Sequence, residues 1–368
     1  MTRTPRTIFI ERDDEVTASP VTERFIRAFP NAVRHTVRSL QDIDAIEPPT
    51  AARAKTSLFL MKNRGAFVRR CPGTRYFVCC DYRVIDAASQ CPFDCSYCFL
   101  HAYDNARVTS VAINLPDMVR ETANSVGADE FVRIGTGELS DSLVYDDISR
   151  VSDALIPLLN ERPRMFFELK TKSDNVGHVI AEHRRAPYAK RIVIAFSLNP
   201  EHIIRTYEKG CAPLSARLAA AARCARAGFS LAFHFDPVIR HASWQRDYMS
   251  VIDKLYRVVP KEAIAWISMG CLRFPKALKD DRIAASSTHG ALVSGDFLPS
   301  DDGKFRYFRT HRETMYRTLH SRIRSYDTKT FVYLCMETPA MWRTVFGKYF
   351  SPDSFASALE RFIARYAA

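Results

Sequence analysis

Short apolar runs alternate with amphipathic segments along the middle of the chain. Six runs rich in β-branched and aromatic residues predict strands, at residues 76–80, 131–134, 165–170, 191–196, 230–235 and 263–268. Five segments with helical spacing lie among them, at residues 116–126, 146–160, 175–183, 213–227 and 245–258. Strand–helix alternation on this scale is typical of a parallel sheet with crossover helices. The pattern therefore predicts an α/β fold, a six-stranded partial (β/α)6 barrel.

The two ends of the chain carry a weaker pattern. Residues 8–11 predict a strand and residues 21–29 a helix, and we interpret residues 1–75 as an N-terminal cap. Beyond the barrel the alternation loosens, until residues 330–337 predict one more strand and residues 354–366 a helix. The predicted organisation is a cap at 1–75, a partial barrel at 76–275 and a C-terminal extension at 276–368.

Polar residues follow five of the predicted strands. These segments are GTGELSD (135–141), KTK (170–172), SLN (197–199), HFDP (234–237) and SMGC (268–271). In a parallel barrel all strand ends open on one face, where such folds place their chemistry. One polar strand end would be an ordinary loop start, but five in succession favour an active-site rim.

Composition narrows the class of protein. The 368 residues are 47% hydrophobic and 26% charged, the balance of a soluble globular protein. No apolar run is long enough to span a membrane, and the basic N-terminus lacks the apolar core of a signal peptide. Ten cysteines in this context predict reduced thiols or metal ligands in the cytoplasm, rather than a disulfide framework.

The net charge of +12 favours a polyanionic partner, nucleic acid first, once basic residues are seen to cluster. They do so at residues 304–326, where Lys, Arg and aromatic residues surround a single acid, Glu313. Met315, Leu319 and Ile323 predict an amphipathic helix with a basic outer face. The Arg306–Tyr307 pair suits phosphate contact and stacking on a displaced base. A solvated basic helix is the alternative interpretation.

Three cysteines, Cys91, Cys95 and Cys98, follow the first predicted strand with the spacing C-x3-C-x2-C. Three thiolates this close can ligate three irons of a 4Fe–4S cluster, which leaves the fourth iron open to a small molecule. Zinc is the main competitor, and His101 could supply a fourth ligand. Closed zinc sites usually pair C-x2-C with a distant pair, however, so the spacing favours the open cluster.

With an aromatic residue, Tyr97, before the last cysteine, this motif on the first barrel loop resembles the radical-SAM superfamily. Residues 168–176 (ELKTKSDNV), 196–200 (FSLNP), 210–217 and 233–239 (FHFDPVI) resemble the spore photoproduct lyase family within it. The resemblance covers most of residues 60–275. It implies a 4Fe–4S cluster and S-adenosylmethionine (SAM) as cofactors, a 5′-deoxyadenosyl radical, and lyase-type repair of linked thymines in DNA. It also implies an electron donor such as flavodoxin or ferredoxin, and we expect a monomer without membrane contact.

The resemblance further implies a set of cofactor contacts. Glu138 would accept the methionine amino group of SAM, and Lys172 would bind its carboxylate. Tyr97 would lie near the adenine. The predicted SAM-binding residues are Tyr97, Gly137, Glu138, Ser140, Lys172 and Ser197. For Glu138 the alternative is a surface carboxylate in a glycine-rich turn.

Two family features are missing. Residues 131–142 contain no cysteine where the family carries its hydrogen-donor thiol, and Phe99 replaces the tyrosine that follows the third cluster cysteine. Cys271 and Cys335 each end a predicted strand, so with Tyr97 they are the candidate catalytic residues, although either could be a small core side chain.

Two alternatives stay open: a relative acting on another nucleotide, modified base or peptide, and a non-catalytic metal-bearing nucleic-acid binder. The GTGE segment and Lys172 favour an enzyme with a cofactor pocket over a protein that only binds nucleic acid.

Overall fold

A curved eight-stranded sheet forms the centre of the protein. The computed structural model describes residues 4–50, 53–73, 76–102, 108–279, 292–348, 351 and 357–361. Numbered along the chain and given in spatial order, the strands of this sheet are β4 (Val68–Arg70), β5 (Arg83–Ile85), β9 (Val132–Gly135), β10 (Met165–Thr171), β11 (Ile192–Ser197), β13 (Ser230–Val238), β14 (Ile264–Cys271) and β18 (Phe331–Leu334). All neighbours from β5 to β18 are parallel, and β4 is antiparallel to β5. The predicted α/β partial barrel is confirmed.

Helices cross over between these strands and bury the apolar faces that the sequence pattern predicts. They are α5 (Leu115–Ser125), α6 (Asp146–Ser149), α7 (Val151–Leu155), α8 (Gly177–His183), α9 (Glu201–Tyr207), α10 (Leu214–Arg226) and α11 (Trp244–Val258). The helix predicted at 146–160 is interrupted at Arg150, whose φ of 62° ends α6. Strands β13 and β14 are buried along almost their whole length, which explains their near-continuous apolar sequence.

The first predicted barrel strand is wrong. Residues 76–80 form no strand, and Val78 makes only an isolated bridge to Glu337. The barrel begins instead at β5, a three-residue strand whose neighbour is β9. The apolar run YFVCC is thus a connection along the barrel wall rather than part of the sheet.

The N-terminal residues build a second sheet with the order β2-β1-β3-β8-β6. Its strands are β1 (Thr7–Glu11), β2 (Val33–Val37), β3 (Ser57–Met61), β6 (Ala88–Ser89) and β8 (Thr109–Ala112). The accompanying helices are α1 (Asp14–Thr17), α2 (Pro20–Ala28), α3 (Leu40–Ile46) and α4 (Arg53–Thr56). The strand and helix predicted at 8–11 and 21–29 are confirmed, and this sheet also takes in strands from beyond residue 75.

The C-terminal residues return to the barrel. A small antiparallel sheet contains β15 (Arg273–Pro275), β16 (Phe297–Pro299) and β17 (Lys304–Tyr307), and α12 (Arg309–Tyr326), β18 and α13 (Pro339–Phe346) follow. The predicted amphipathic helix buries Met315, Leu319 and Ile323. Of the helix predicted at 354–366, residues 357–361 are helical and the remainder lies outside the described residues. Among the helices of the described chain, none is long and apolar enough to cross a membrane.

Candidate active site

The loop that carries the three cysteines is fastened to segments that are distant in the chain. Cys95 lies in β7 (Asp94–Cys95), which pairs antiparallel with β12 (Glu208–Lys209). Lys55, only 6% exposed, donates a hydrogen bond to the Cys91 carbonyl oxygen at 2.8 Å. Within the loop, the Cys98 N–H donates to the Cys95 carbonyl oxygen at 3.0 Å. The backbone thus holds the thiols in place through contacts with distant segments.

The three thiols lie close enough to influence one another. Burial raises the pKa of Cys91 to about 12, and the charges of Asp141 and then Cys95 add to this effect. Burial, followed by the charge of Cys95, also raises the pKa of Cys98. A fourth thiol, Cys211, lies 3.6 Å from the Cys95 Sγ, although the sequence analysis gave it no role at the site.

The arrangement of these donors fits a cluster better than a single zinc ion. Among the described residues, the metal-ligand set whose donor atoms all lie within 4.8 Å of one another contains no cysteine. Zinc ligands surround one ion at about 2.3 Å for sulfur, whereas a 4Fe–4S cluster takes each thiolate on a different iron. The Nε2 of His101 lies 3.0 Å from the Cys95 carbonyl oxygen, so this nitrogen is a donor rather than a metal ligand.

Three of the predicted SAM-binding residues meet beside Cys95. The Lys172 Nζ donates to the Ser197 Oγ at 3.3 Å and lies 5.8 Å from the centre of the Tyr97 ring. Burial alone would lower the pKa of Lys172, but the charges of Cys95 and Glu208 raise it above its ordinary value. The cationic amine of Lys172 therefore lies next to the cysteine loop, where it can bind a carboxylate.

A buried ion pair that the sequence analysis missed positions Tyr97. The Tyr97 hydroxyl donates to Glu208 Oε1 at 2.5 Å, and Asn199 donates to the same oxygen at 2.8 Å. Arg217, with no exposed surface, donates to Glu208 Oε2 at 2.5 Å. Burial would raise the pKa of Glu208, but Arg217 and Lys172 lower it below its ordinary value. Glu208 is thus a charged acceptor that fixes the Tyr97 ring.

Gly137, Glu138 and Ser140 occupy the loop after β9. A side chain at Gly137 would collide with the Cβ of Lys170, so glycine is required there by the packing of β10. The Glu138 carboxylate is 17% exposed and lies 2.8 Å from the Arg69 guanidinium. Burial raises the pKa of Glu138, and Arg69 opposes that shift. Glu138 is therefore not a surface carboxylate, and Ser140 is half-buried in the same loop.

A second polar network, also missed, fills the barrel interior. Glu168 lies 3.1 Å from the Arg133 Nε and 2.9 Å from the His234 Nε2, and the other His234 nitrogen lies 2.5 Å from Ser268. Burial would raise the pKa of Glu168, but Lys170 and Arg133 lower it to about 2. These groups come from strands β9, β10, β13 and β14, and all four side chains are buried.

The structure separates the two candidate catalytic cysteines. Half-buried Cys335 lies 3.6 Å from the Arg273 guanidinium, which binds Asp236 at 2.9 and 3.1 Å. Burial, followed by the charge of Asp236, raises the pKa of Cys335 to about 12. Cys271 is 2% exposed and its backbone N–H donates to the Tyr316 hydroxyl at 2.8 Å, so it packs beneath α12. Cys271 also lies near charged groups, among them Asp236, but it is buried, whereas Cys335 is half-buried and its thiol contacts the Arg273 guanidinium.

Arg306 and Tyr307, predicted to contact nucleic acid, are 3% and 5% exposed. The Arg306 guanidinium donates to Asp302 at 2.6 Å and to the Met336 carbonyl oxygen at 3.1 Å. The Tyr307 hydroxyl accepts from the Arg240 N–H at 3.0 Å. The prediction for these two side chains is therefore corrected: they fasten β17 to the barrel and present no surface to a ligand.

The match to known families agrees with this geometry. The sequence model of the family described as spore photoproduct lyase matches residues 78–283, more than half of the chain. This chain belongs to the spore photoproduct lyase family. The predicted resemblance is thereby confirmed, and the matched residues include the cysteine loop, Lys172 and the Glu208–Arg217 pair.

Individual members of the spore photoproduct lyase family are distant in sequence. The chain is 24% identical over 181 residues to spore photoproduct lyase of Bacillus subtilis, which covers 48% of this chain and 52% of the relative. It is 26% identical over 176 residues to the spore photoproduct lyase of a Geobacillus species, covering 47% and 50%. The chain thus spans about half the length of the curated relatives it matches.

The similarity of fold to solved spore photoproduct lyases covers more of the chain than the sequence matches do. A solved spore photoproduct lyase variant with bound AdoMet and dinucleoside spore photoproduct has a TM-score of 0.76 at 20% identity, covering 91% of this chain and 99% of the other. Another spore photoproduct lyase, complexed with dinucleoside spore photoproduct, has a TM-score of 0.75 at 19% identity with the same coverage. At these identities the two structures establish the shared fold.

Proposed function

We propose that the chain is a radical-SAM enzyme that repairs linked thymines in DNA. The observation that carries this proposal is the cationic Lys172 beside Cys95, at the rim where the cysteine loop meets the strand ends of a parallel barrel. When bound, a 4Fe–4S cluster would supply the electron that cleaves SAM to methionine and a 5′-deoxyadenosyl radical. The chain itself binds, orients and shields the reacting groups.

In this proposal each side chain has a separate role. Cys91, Cys95 and Cys98 would hold the cluster, and Lys172 would bind the SAM carboxylate. Tyr97, fixed by Glu208, would support the adenine. Ser197 would orient the Lys172 amine through the hydrogen bond of 3.3 Å. Gly137, Glu138 and Ser140 would line the methionine end from the loop after β9. A non-catalytic nucleic-acid-binding protein would not need these cluster-binding and SAM-binding side chains.

We expect replacement of Lys172 by Met to weaken SAM binding while iron content stays unchanged. The loss of one charge-assisted contact costs roughly 1.5–3 kcal/mol, and methionine keeps the apolar stem of the side chain. SAM affinity would be measured by equilibrium dialysis on the reconstituted protein. The matched control is Lys254→Met, because Lys254 is exposed on α11. Equal SAM affinity in both variants would place the SAM carboxylate elsewhere.

Direct product analysis tests whether the linked thymines are the substrate. The reconstituted protein would be incubated anaerobically with SAM, dithionite and an oligonucleotide that contains one spore photoproduct. Restoration of the two thymines, quantified by chromatography, supports the repair reaction. Cleavage of SAM without loss of the lesion would contradict it.

A second candidate substrate class has a specific observation in its favour. Glu138, ion-paired with Arg69, occupies the region where the family resemblance implies a hydrogen-donor cysteine, and residues 131–142 contain no thiol. Phe99 likewise lacks the hydroxyl of the expected tyrosine. The alternative is the same cofactor chemistry on another nucleotide, a modified base or a peptide, and SAM cleavage without lesion repair is the outcome that favours it.

We expect Cys335 to supply the hydrogen atom if the lesion is the substrate. The S–H bond would break, a C–H bond would form at the product carbon radical, and a thiyl radical would remain on sulfur. The high pKa of Cys335 keeps the thiol protonated for this step. Cys335→Ala should therefore block release of repaired thymines while SAM cleavage continues. Cys271→Ala is the control and should keep full turnover, because Cys271 is buried under α12. Repair at the wild-type rate in Cys335→Ala would exclude Cys335 as the donor.

Further parts of the proposal concern partners and location. DNA contact now rests on the net charge of +12 rather than on the buried Arg306–Tyr307 pair. A flavodoxin or ferredoxin would supply the electron, and the monomer is the proposed state. All ten cysteines are free thiols, which fits the reducing cytoplasm. The cap at 1–75, barrel at 76–275 and extension at 276–368 stay the proposed functional division of the chain.

A further inference from the structure

Two histidines and an aspartate meet outside the proposed active site, on the rim of the barrel. His202 lies in the first turn of α9, which follows β11. His241 precedes α11 and Asp247 lies in its first turn, and α11 follows β13. Because β11 and β13 are parallel neighbours, the segments after them emerge side by side. None of the three residues has a role in the function proposed above.

The donor atoms of this group converge on one point. The Nδ1 atoms of His202 and His241 each lie 3.9 Å from the Asp247 Oδ2. All three donor atoms lie within 4.8 Å of one another, and among the described residues this is the ligand set with that property. The other Asp247 oxygen, Oδ1, accepts from the Arg246 Nε at 2.9 Å. One carboxylate oxygen thus faces both imidazoles at distances too long for a hydrogen bond.

A second group of the same composition provides the contrast. His178 and His183 place their Nε2 atoms 2.9 and 3.0 Å from the Oδ1 of Asp153. Those distances are ordinary hydrogen bonds, so the Asp153 group is satisfied without an ion. The His202 group likewise contains two histidines and one aspartate, yet its nitrogen–oxygen distances of 3.9 Å leave a gap where the Asp153 group has direct contacts.

We propose that His202, His241 and Asp247 bind one divalent transition-metal ion, with zinc the best fit. Two imidazole nitrogens and one carboxylate oxygen are ligands that zinc prefers, while magnesium and calcium favour oxygen alone. Tetrahedral zinc with bonds of about 2.0–2.1 Å separates its ligand atoms by roughly 3.4 Å. The two nitrogen–oxygen distances of 3.9 Å therefore require a contraction of about half an ångström, and the two nitrogens lie within 4.8 Å of each other.

Exposure of the group supports an open site. The side chains of His202, His241 and Asp247 are 42%, 20% and 20% exposed, so water can reach the ion and fill a fourth position. The Arg246 side chain is 79% exposed and can turn outward when a cation binds. The ion would connect α9 to α11. Because β12 directly follows α9 and pairs with β7, this connection would brace the segment that holds the cysteine loop.

Cobalt(II) distinguishes this site from the cysteines. The cluster-loaded protein would be dialysed against Co²⁺ and then against Zn²⁺, with metal content and visible absorption recorded. In the difference spectrum against the cobalt-free, cluster-loaded protein, the wild type should bind one ion per chain, with weak d–d bands and no sulfur-to-cobalt charge-transfer band. His202→Ala and Asp247→Asn should weaken binding by about tenfold or more. His178→Ala is the matched control and should bind like the wild type.

Folding is checked separately, since a misfolded variant would also lose metal. Far-ultraviolet circular dichroism should be unchanged in His202→Ala because that side chain is 42% exposed. His202→Gln, which keeps the polar surface, should lose the ion in the same way. Retained binding in both His202 variants would overturn the proposal, and so would an intense sulfur-to-cobalt band. Neither outcome bears on SAM cleavage, so this test is independent of the proposed function.

Discussion

Replacement of Cys98 by alanine is expected to abolish both the iron–sulfur cluster and SAM cleavage. In the wild type three irons of the cluster each have one cysteine ligand. Without Cys98 only two irons keep a protein ligand, and the cluster is no longer held stably. The wild type should take up about four irons and four sulfides per chain on anaerobic reconstitution. Iron, sulfide and the released 5′-deoxyadenosine would be quantified for the wild type and for alanine variants of Cys91, Cys95 and Cys98.

Cys211 provides the sharpest control for this experiment. Its Sγ lies 3.6 Å from that of Cys95, so it is the thiol best placed to act as a fourth ligand. If the cluster keeps one iron open for SAM, Cys211→Ala should retain iron and SAM cleavage. Loss of the cluster in Cys211→Ala would instead indicate a closed four-thiolate site without room for SAM. Uptake of one zinc and no iron by the wild type would contradict the radical-SAM assignment outright.

Glu208→Gln is expected to lower the free energy of unfolding by about 3–5 kcal/mol. The substitution leaves the Arg217 guanidinium, which has no exposed surface, buried without its counter-charge. The measurement is urea denaturation followed by circular dichroism. The matched control is Glu23→Gln on α2, whose partner Arg27 is 74% exposed, and its stability should be nearly unchanged. Equal stability of Glu208→Gln and the wild type would show that Arg217 is satisfied by its backbone contacts alone.

The same pair determines a pH dependence. Because the folded pKa of Glu208 is lowered, its ionisation stabilises the protein fully above the unfolded pKa, about 4.3. That contribution is lost as the pH falls from there through the folded pKa. The loss of stability on acidification should therefore be smaller in Glu208→Gln than in the wild type. Tyr97 also loses a charged acceptor in this variant, so SAM binding should weaken together with stability.

The elements that the sequence predicts best are the long buried strands. From β9 to β14 the apolar runs lie in the parallel sheet, and the predicted and observed bounds differ by only a few residues. The first strand was misplaced because residues 76–80 have stronger β-propensity than Arg83–Ile85, while the sheet is decided by pairing with β9. In the N-terminal sheet, β2 was not predicted because it is exposed along most of its length and lacks an apolar run.

Residues of the site could be predicted only where their spacing in the sequence indicates a chemical role. The cysteine triplet and Lys172 are visible as patterns, and the structure brings Lys172 next to Cys95. The ion pair of Glu208 and Arg217 is not visible in the sequence, because a glutamate outside any predicted strand or helix is usually solvated and only the fold supplies its partner. Arg306 shows the opposite error: a basic aromatic segment suggested an exposed surface, but Asp302, four residues earlier, neutralises the arginine and permits its burial.

The pairing of β7 with β12 also affects the order in which the protein can assemble during synthesis. Tyr97 and Glu208 are 111 residues apart in the chain, and Cys95 and Cys211 are 116 apart. At ordinary translation rates the cysteine loop emerges from the ribosome roughly 6–23 seconds before the strand that fastens it. During that interval the loop has its contact with Lys55 but lacks its pairing with β12. We therefore expect stable iron binding only after translation of residue 217, so a nascent chain stalled earlier should remain colourless.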